Sequence, residues 1–230
     1  MQVKHSLLLT IALLLSAGPA MSLCQDPRPR LVCAEYFASK VVVEATLVKV
    51  RTIGDKDDPG GIQAFVFSLR TDRVLRGQID EVFRVYEGND SGRATFDWKT
   101  GQKYLLFLFY LSPEKSWGLD GCGNSGPLSS ATGVLKEIEG IQKGHHDSGV
   151  IHGLVSNVPG ARVEAQGARG AYKATTNANG EFEIKVPAGQ YKVRARLTGY
   201  TFSSGDFSYE NPNDLRVEPG GCVQVHLVAR

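Results

Sequence analysis

The stretch TTNANGEFEIKVPAGQYKVRARLTGY, residues 175–200, alternates apolar and polar side chains over nearly its whole length. Because successive side chains of a strand point to opposite faces, a period of two predicts strands with one buried face. Phe182, Ile184 and Val186 make one inward row, and a second row begins at Tyr191. The segment VPAGQ supplies a turn between the rows, so we predict a hairpin at the centre of a small β-sandwich.

Other short strands surround this segment. GVIHGLV, ARVEAQG, AYKATTN and CVQVHLVA share its alternation, and short strands at regular spacing with turn signals between them are typical of a sandwich. The polar and flexible segment QKGHHDSG comes before them and predicts a linker over 143–149. We therefore expect a sandwich domain over 150–230.

The chain before this linker is also rich in strands. In SKVVVEATLVKVR the inward set is Val43, Ala45 and Leu47, after which the phase shifts to Val48 and Val50, as a β-bulge would produce. IQAFVFSLR and DEVFRVYEG alternate in the same way. Long bulged strands are a feature by which small barrels close, so this segment favours a barrel.

The segment KYLLFLFYL is apolar throughout and should therefore be covered on both of its faces. The nearest cover is PLSSATGVLKEIEGI, in which apolar residues recur every three or four positions and predict one helical stripe. Pro127 suits the first turn of that helix, because the missing N–H of proline has no intrahelical partner there. We expect this helix to flank the barrel.

The N-terminal segment predicts export. A lysine comes before the short apolar run SLLLTIALLLSAG, and small residues stand at Ala20 and Ser22, as a signal peptidase requires. We predict a signal peptide over 1–22 and a secreted or periplasmic protein with no transmembrane segment after signal removal. A lipid anchor on Cys24 is the alternative, and the bulk of Leu23 argues against it.

Export would place all four cysteines, Cys24, Cys33, Cys122 and Cys222, in an oxidising compartment. No pair has Cys-x-x-Cys spacing, so disulfides are favoured over a zinc site. Three connectivities are possible, and the sequence by itself does not choose among them.

Few motifs point to chemistry. GCGNSG at 121–126 matches the Gly-x-Gly-x-x-Gly motif of dinucleotide-binding proteins. It lacks a parallel βαβ context, so a tight loop pinned by a disulfide bridge is the better interpretation. One cluster comprises His145, His146, Asp147 and His152. Because it lies in or beside the linker, a solvated linker is favoured over a metal site. His226 alternates with apolar residues and is predicted to lie on the surface.

The formal net charge is +2, which argues against a nucleic-acid partner. Neither a Ser/His/Asp arrangement nor a pair of carboxylates suggests a reaction. We predict no catalytic, cofactor-binding or metal-ligating residue, and expect a binding or structural protein with a protein or glycan partner. For carbohydrate binding, which is one alternative, Trp98 and Trp117 are the large stacking faces.

The segments GVIHGLVSNVPGARVEAQG and TTNANGEFEIKVPAGQYKVRARLTGY together resemble the carboxypeptidase regulatory-like domains. The resemblance is carried by Gly180-x-Phe182, Pro187-Ala188-Gly189-x-Tyr191 and Gly199-Tyr200. It implies a seven-stranded transthyretin-like sandwich and says little about activity, since such domains are appended modules that support folding, adhesion or glycan contact. Asn177 and Asn179 stand where relatives often carry aspartates, which argues against a calcium site.

The first part of the chain resembles the netrin-like domain of tissue inhibitors of metalloproteinases and of bacterial relatives. The resemblance is carried by Cys24 and by the segments LVCAEYFASKVVVEATLVKV, GQKYLLFLFY and SWGLDGCGNSGPLSSA. It implies a five-stranded OB-type barrel over 23–142 with a flanking helix. It also implies a Cys24–Cys122 bridge and a Cys33–Cys222 bridge that crosses between the two domains.

In those inhibitors the first cysteine of the mature chain chelates the zinc ion of the target protease. Ser22 stands in its place here, so metalloprotease inhibition is an alternative and not the main expectation. The chain is expected to be mainly β, with an OB-type barrel and flanking helix followed by a seven-stranded transthyretin/Ig-like sandwich, and to need no cofactor.

Overall fold

The structure, a computed structural model, describes residues 30–90, 93–144, 147–156, 158–205 and 210–230. The helices are α1 (Val32–Ala38), a 3-10 helix (Leu128–Ser130) and α2 (Thr132–Lys143). The earlier strands are β1 (Val41–Gly54), β2 (Ile62–Arg76), β3 (Val82–Gly88), β4 (Lys103–Leu111), β5 (Ser116–Leu119) and β6 (Gly126–Pro127). The later strands are β7 (Ser148–Val155), β8 (Arg162–Gly167), β9 (Gly170–Thr175), β10 (Glu181–Pro187), β11 (Gly189–Arg196), β12 (Phe202–Ser204), β13 (Leu215–Val217) and β14 (Cys222–Ala229).

The chain is mainly β, as predicted, and its strands form three sheets. We call β1 to β6 with both α-helices the first unit, and β7 to β14 the sandwich. None of the helices in the described ranges is long and apolar enough to span a membrane. The predicted signal peptide over 1–22 lies outside the described residues, and the domain limits at 23–142 and 150–230 stay predictions.

The strands of the first unit form one sheet whose pairings return to their starting point. β1 pairs with β2, β2 with β3, β3 with β5 and β5 with β4. β4 in turn pairs with β1, so β1 has a hydrogen-bonded partner on each edge. The short strand β6 extends β4, which makes six strands where five were expected. A strand of two residues is too short to leave an alternating pattern in the sequence.

The inner face of β1 follows the predicted alternation up to its bulge. Val43, Ala45 and Leu47 are fully buried, and the pairing of β1 with β2 shifts register directly after them, as predicted. The prediction that Val48 and Val50 continue the inward row is wrong, because both side chains are exposed. β4 pairs with β1 only over residues 41–46. Beyond the bulge, β2 is the partner of β1 among the described strands, and the same part of β2 also pairs with β3.

β4 is covered on both faces over residues 104–108, as its apolar run predicted. Alternate residues join the inner core of the first unit, whereas Leu105 and Phe107 pack with Ile138 of α2. The last part of the run differs from the prediction, because Phe109 and Tyr110 are exposed. The apolar cover therefore stops before the strand ends.

The predicted covering helix is present but begins later than expected. Pro127 does not lie in its first turn, because Gly126 and Pro127 pair with β4 as β6 and Pro127 has an extended backbone. A 3-10 turn follows, and α2 begins at Thr132. Ile138 is the most deeply buried residue of its apolar stripe.

The sequence analysis did not predict α1, which joins the first unit to the sandwich. This helix packs against α2 and against β14. Cys33 of α1 forms a disulfide with Cys222 of β14. Next to it, the backbone N–H of Leu31 donates a hydrogen bond to Gln224 Oε1 at 2.9 Å. The two units are thus joined by the covalent bridge that the netrin-like resemblance implied.

The sandwich consists of two four-stranded sheets, in the orders β10-β7-β14-β12 and β13-β11-β8-β9. Its eight strands exceed the seven expected because β12 and β13 have three residues each, too few to show alternation. Their inward residues form one core, which includes Phe182, Ile184, Val186, Tyr191 and Val193.

The predicted hairpin over 175–200 is wrong in its pairing, although its inward rows are correct. β10 pairs with β7 in one sheet, and β11 pairs with β8 and β13 in the other. The chain therefore crosses from one sheet to the other between them, near Ala188. Alternation shows which side of a strand is buried, but it does not show which strand lies beside it.

Candidate functional site

A polar cleft lies along the outer face of the sheet that contains β10, β7 and β14. It has a volume of about 510 Å³ and is lined by residues of the sandwich together with Leu31 of the first unit. Because Leu31 comes directly before α1, the cleft lies where the two units meet. Its polar lining includes His152, Asn177, Glu181, Glu183, Gln224 and His226.

Strand register brings three of these side chains into one row. Glu183 of β10 lies opposite His152 of β7, which lies opposite Gln224 of β14. His152 Nδ1 is 3.7 Å from Glu183 Oε2, and Gln224 Oε1 is the acceptor for the Leu31 N–H. Cross-strand neighbours on one face of a sheet are close enough for their side chains to interact. A carboxylate, an imidazole and an amide therefore lie side by side across three strands.

A second row on the same face, two residues along each strand, contains Glu181, Leu154 and His226. Asn177 Nδ2 donates to Glu181 Oε2 at 2.6 Å, and Asn177 Oδ1 accepts the backbone N–H groups of Asn179 and Glu181, each at 2.9 Å. This is the Asx-turn geometry in which an asparagine closes its own loop. The oxygen that a calcium site would need is therefore engaged by two N–H groups.

Burial disfavours the protonated form of His152 in this cleft. It lowers the pKa of His152 below its ordinary value of 6.5, and the negative charge of Glu183 opposes that effect only in part. A neutral imidazole both donates and accepts a hydrogen bond. With the carboxylates of Glu181 and Glu183 beside it, the cleft presents mainly acceptors and negative charge.

Within the described ranges, the nearest approach to a catalytic pair is Ser156 beside His226. Ser156 has a positive φ of 23°, which is uncommon for a residue other than glycine. Its Oγ lies 3.5 Å from His226 Nε2 and donates to the carbonyl oxygen of Leu227 at 3.1 Å. Because the hydroxyl hydrogen is directed to a backbone carbonyl, the imidazole is not placed to remove it. This contact closes the end of β7 and does not form an activated nucleophile.

A buried carboxylate supports the first unit at its contact with the sandwich. Glu35 of α1 is 1% exposed, and its Oε2 accepts the backbone N–H of Asn124 at 2.6 Å and the side-chain Nδ2 of Asn124 at 2.7 Å. The same Nδ2 donates to the carbonyl of Arg30 at 2.9 Å. Burial raises the pKa of Glu35, and the hydrogen bonds from Asn124 oppose that rise.

This contact explains the GCGNSG segment at 121–126. A Cβ at Gly123 would collide with the carboxylate of Glu35 where Asn124 holds it, so a larger residue there would displace that carboxylate. Cys122 is disulfide-bonded, as expected for a tight loop pinned by a bridge. Its expected partner, Cys24, lies outside the described residues. The segment therefore serves as a docking loop for α1.

Two of the histidines named in the sequence analysis, His152 and His226, line the cleft. His152 lies on β7, within the predicted strand GVIHGLV, and lines the cleft, so the solvated-linker interpretation does not apply to it. His226 points away from the sandwich core as predicted, but it is half-buried in the cleft and not on an open surface. His145 and His146 lie outside the described residues. No group of three or more His, Cys, Asp or Glu residues in the described ranges is arranged to hold a metal ion.

Both tryptophans are partly buried against the core of the first unit. Trp98 stacks on Phe67 with ring centroids 4.4 Å apart and packs against the inner core. Trp117 meets Tyr110 edge to face at 5.4 Å and is also partly buried. Carbohydrate stacking on these two rings, considered from the sequence, is therefore not favoured by their positions.

The sequence analysis did not single out Glu181, Glu183, Gln224 or Glu35. The first three occupy outward positions of alternating strands, where polar residues are ordinary. Only the strand order β10-β7-β14 brings them together, and alternation carries no information about strand order. Glu35 gave no signal, because a single glutamate in a short segment does not reveal a buried position.

The comparison with known families concerns the sandwich. The sequence model of the carboxypeptidase regulatory-like domain matches residues 150–224, which include His152, Glu183 and Gln224. Residues 150–224 form a carboxypeptidase regulatory-like domain. A search of curated proteins gave no match. The cleft thus lies on one face of the carboxypeptidase regulatory-like domain, and it includes residues of β14, the strand that the disulfide joins to α1.

Proposed function

We propose that this chain is an exported, non-enzymatic binding protein in which an OB-type, netrin-like barrel and the carboxypeptidase regulatory-like domain form one disulfide-braced module. The observation that carries the proposal is the Cys33–Cys222 bridge, which joins α1 to β14 beside the polar cleft. A covalent connection of this kind limits relative motion of the two units. It therefore gives the cleft between them a lasting shape, as a recognition site requires.

The netrin-like part of the proposal is supported by strand order. The pairings run from β1 through β2, β3, β5 and β4 and back to β1, and an OB-fold is a five-stranded barrel of this general kind. α2 covers the outer face of β4, as the flanking helix of the resemblance would. The bridge from Cys33 to a cysteine beyond the helix also agrees with that resemblance.

The non-enzymatic part is supported by how the polar groups of the cleft are engaged. Asn177 holds Glu181, Gln224 holds the backbone of Leu31, and Ser156 donates to a backbone carbonyl. These contacts shape and close the cleft. Loss of a measured hydrolase activity on substitution of Ser156 or His226 would contradict this part of the proposal.

The chemistry of the cleft indicates the kind of group that it would bind. Glu181, Glu183 and the neutral His152 offer hydrogen-bond acceptors and negative charge. A partner segment with amine or hydroxyl donors would bond to them, because a carboxylate can accept more than one hydrogen bond and charge-assisted hydrogen bonds are the stronger ones. We propose that such donors of a protein or glycan partner enter the cleft.

The test uses two probes with donor groups, an oligolysine peptide and a neutral oligosaccharide, titrated separately into the isotope-labelled full chain. Amide chemical-shift changes are expected at His152, Glu183 and Gln224 with at least one probe, and should be lost in a Glu181→Gln/Glu183→Gln variant. The matched control, Glu164→Gln/Glu218→Gln, removes two carboxylates elsewhere on the sandwich and should keep them. Shifts absent with both probes, or equal in both variants, would contradict the assignment of the cleft.

A further inference from the structure

The outer face of the second sandwich sheet is strongly basic. We call this surface, formed by the outward side chains of β8, β9 and β11, the basic face. Strand register places Arg196 opposite Arg162, Arg194 opposite Glu164 and Glu164 opposite Lys173. The charged outward residues of these strands are Arg162, Glu164, Lys173, Lys192, Arg194 and Arg196. Five cations therefore share the face with one carboxylate.

Positive charge is concentrated on the basic face, although the net charge of the whole chain is small. The formal net charge of the chain is only +2, yet this face alone has an excess of four positive charges by the count above. Its carboxylate, Glu164, is already 3.5 Å from Lys173 Nζ. On the neighbouring strand β13, Arg216 is paired with Glu218 at 2.7 Å. The arginines of β11, Arg194 and Arg196, take part in neither of these two ion pairs.

Arg162 and Arg196 are the centre of the basic face. They are direct cross-strand neighbours in the pairing of β8 with β11, and like charges directly opposite each other destabilise a sheet. Both side chains are exposed, and neither has an ion pair or a side-chain hydrogen bond within the part of the chain that the structure describes. An anion bound between them would relieve this repulsion.

A groove adjoins this arginine pair. It has a volume of about 770 Å³ and is lined by Arg162, Arg196, Tyr200 and Phe202, among others. Tyr200 is 50% exposed, and its ring stacks on Phe202 with centroids 6.2 Å apart. One ring face of Tyr200 is thus supported from behind while the residue stays open to solvent. An aromatic platform beside two guanidinium groups combines apolar contact with anion recognition.

We propose that this groove binds an acidic polysaccharide, with sugar carboxylates held by Arg162 and Arg196 and a sugar ring packed on Tyr200. Guanidinium groups bind carboxylates through two parallel hydrogen bonds, so a pair of them suits a chain that repeats carboxylates. The arginine pair lies on the sheet opposite to the one that carries the polar cleft, and the two sites share no lining residue and have opposite charge. The binding proposed for the groove is therefore independent of the function proposed for the cleft.

The aromatic content of the face favours a polysaccharide over a nucleic acid. Single-stranded nucleic acids are held by a positive groove together with several aromatic side chains on which successive bases stack. Tyr200 is the one large exposed aromatic residue in the described part of the sandwich. A single platform is enough for one sugar ring, whereas it would leave the other bases of a strand without contact.

The test measures binding of the full chain to immobilised polygalacturonate, with dextran as the neutral polysaccharide and oligodeoxythymidylate as the nucleic acid. Binding to polygalacturonate is expected, should weaken as NaCl is raised because screening grows with ionic strength, and should exceed binding to both other polymers. Arg162→Ala/Arg196→Ala should weaken it by about tenfold or more, since hydrogen bonds to charged groups are lost. Tyr200→Ala should weaken it severalfold, and Tyr200→Phe should preserve it.

The matched control is Arg51→Ala/Arg84→Ala, which removes two exposed arginines of the first unit and the same net charge. This control should bind polygalacturonate as tightly as the unaltered chain. Because Arg162 and Arg196 are exposed, their double variant should also unfold at an unchanged or higher Tm, which checks that it folds. Absence of binding, equal loss in both double variants, or preference for oligodeoxythymidylate would each overturn the proposal. Failure of this test would leave the cleft titration unaffected, because the two use different probes and different residues.

Discussion

At the scale of single residues, a buried glutamate holds α1 against the 121–126 loop of the first unit. Glu35 accepts two hydrogen bonds from Asn124, and Gly123 leaves room for it. Removal of a buried acceptor leaves its donors unsatisfied, which costs about 1–3 kcal/mol. Glu35 thus supports the helix that carries one end of the Cys33–Cys222 bridge.

We expect Glu35→Ala to lower the free energy of unfolding by about 1–3 kcal/mol, because the Asn124 donors lose their acceptor, and Glu35→Gln to cost less. Burial raises the folded-state pKa of Glu35 above its ordinary 4.5, so its contribution to stability is full below that value and is lost as pH rises through the folded pKa. A glutamine does not titrate. In urea unfolding, the free energy of unfolding of the unaltered chain should therefore fall relative to that of Glu35→Gln between pH 4 and pH 7. A difference between the two free energies that does not change with pH would contradict a raised pKa for the buried Glu35.

A second residue-scale prediction concerns His152. Since burial lowers its pKa and Glu183 partly offsets that effect, NMR titration of the His152 ring should give a midpoint below 6.5. Glu183→Gln should lower the midpoint further, because the charge that favours the imidazolium is removed. Glu164→Gln, on the other sheet, is the control and should leave it unchanged. A midpoint above 6.5 would show that charge and not burial dominates in the cleft.

At the scale of elements, patterns identify buried faces better than they identify neighbours. β1 up to its bulge, β4 over residues 104–108 and α2 have the buried rows that their patterns predicted, because each packs against another layer there. β6, β12 and β13 were missed because they are too short to show a period. β10 and β11 were paired wrongly, since the same alternation suits a hairpin and a crossing between two sheets.

The cover of β4 by α2 gives an element-scale prediction. Ile138 is 1% exposed and packs on Leu105 and Phe107, so Ile138→Ala should lower the free energy of unfolding by about 2–5 kcal/mol through loss of burial and the cavity left behind. Leu135→Ala, on the same helix but only partly buried, should cost less. Thermal or urea unfolding of both variants measures these changes in the free energy of unfolding. Equal losses would show that Ile138 does not pack closely on β4.

At the scale of the whole molecule, one bridge connects segments 189 residues apart in sequence. Closing so long a loop restricts the unfolded chain strongly and contributes about 2–5 kcal/mol. In the folded state the same bridge joins the first unit to the sandwich. Unfolding of the two should therefore be coupled while the bridge is intact.

We expect one calorimetric transition for the unaltered chain and two, at lower temperature, for Cys33→Ser/Cys222→Ser, because the covalent link between the units is lost. Gln224→Ala removes only the hydrogen bond to Leu31 and should keep one transition with a loss of about 1 kcal/mol. Two transitions in the unaltered chain, or one in the serine variant at an unchanged temperature, would show that the bridge does not couple the units.

The sequence by itself determined the class of the fold, most of the inward rows of the long strands and the covering helix, because burial of one face leaves a periodic pattern within each of these segments. It also carried the resemblance that the family comparison bears out over 150–224. Only the tertiary structure decided the order of the strands, the crossing between the two sandwich sheets and the buried position of Glu35. For that reason it alone assembled the polar cleft and separated it from the basic face. Neighbours across a sheet are distant in sequence, and the chemistry of both surfaces depends on those neighbours.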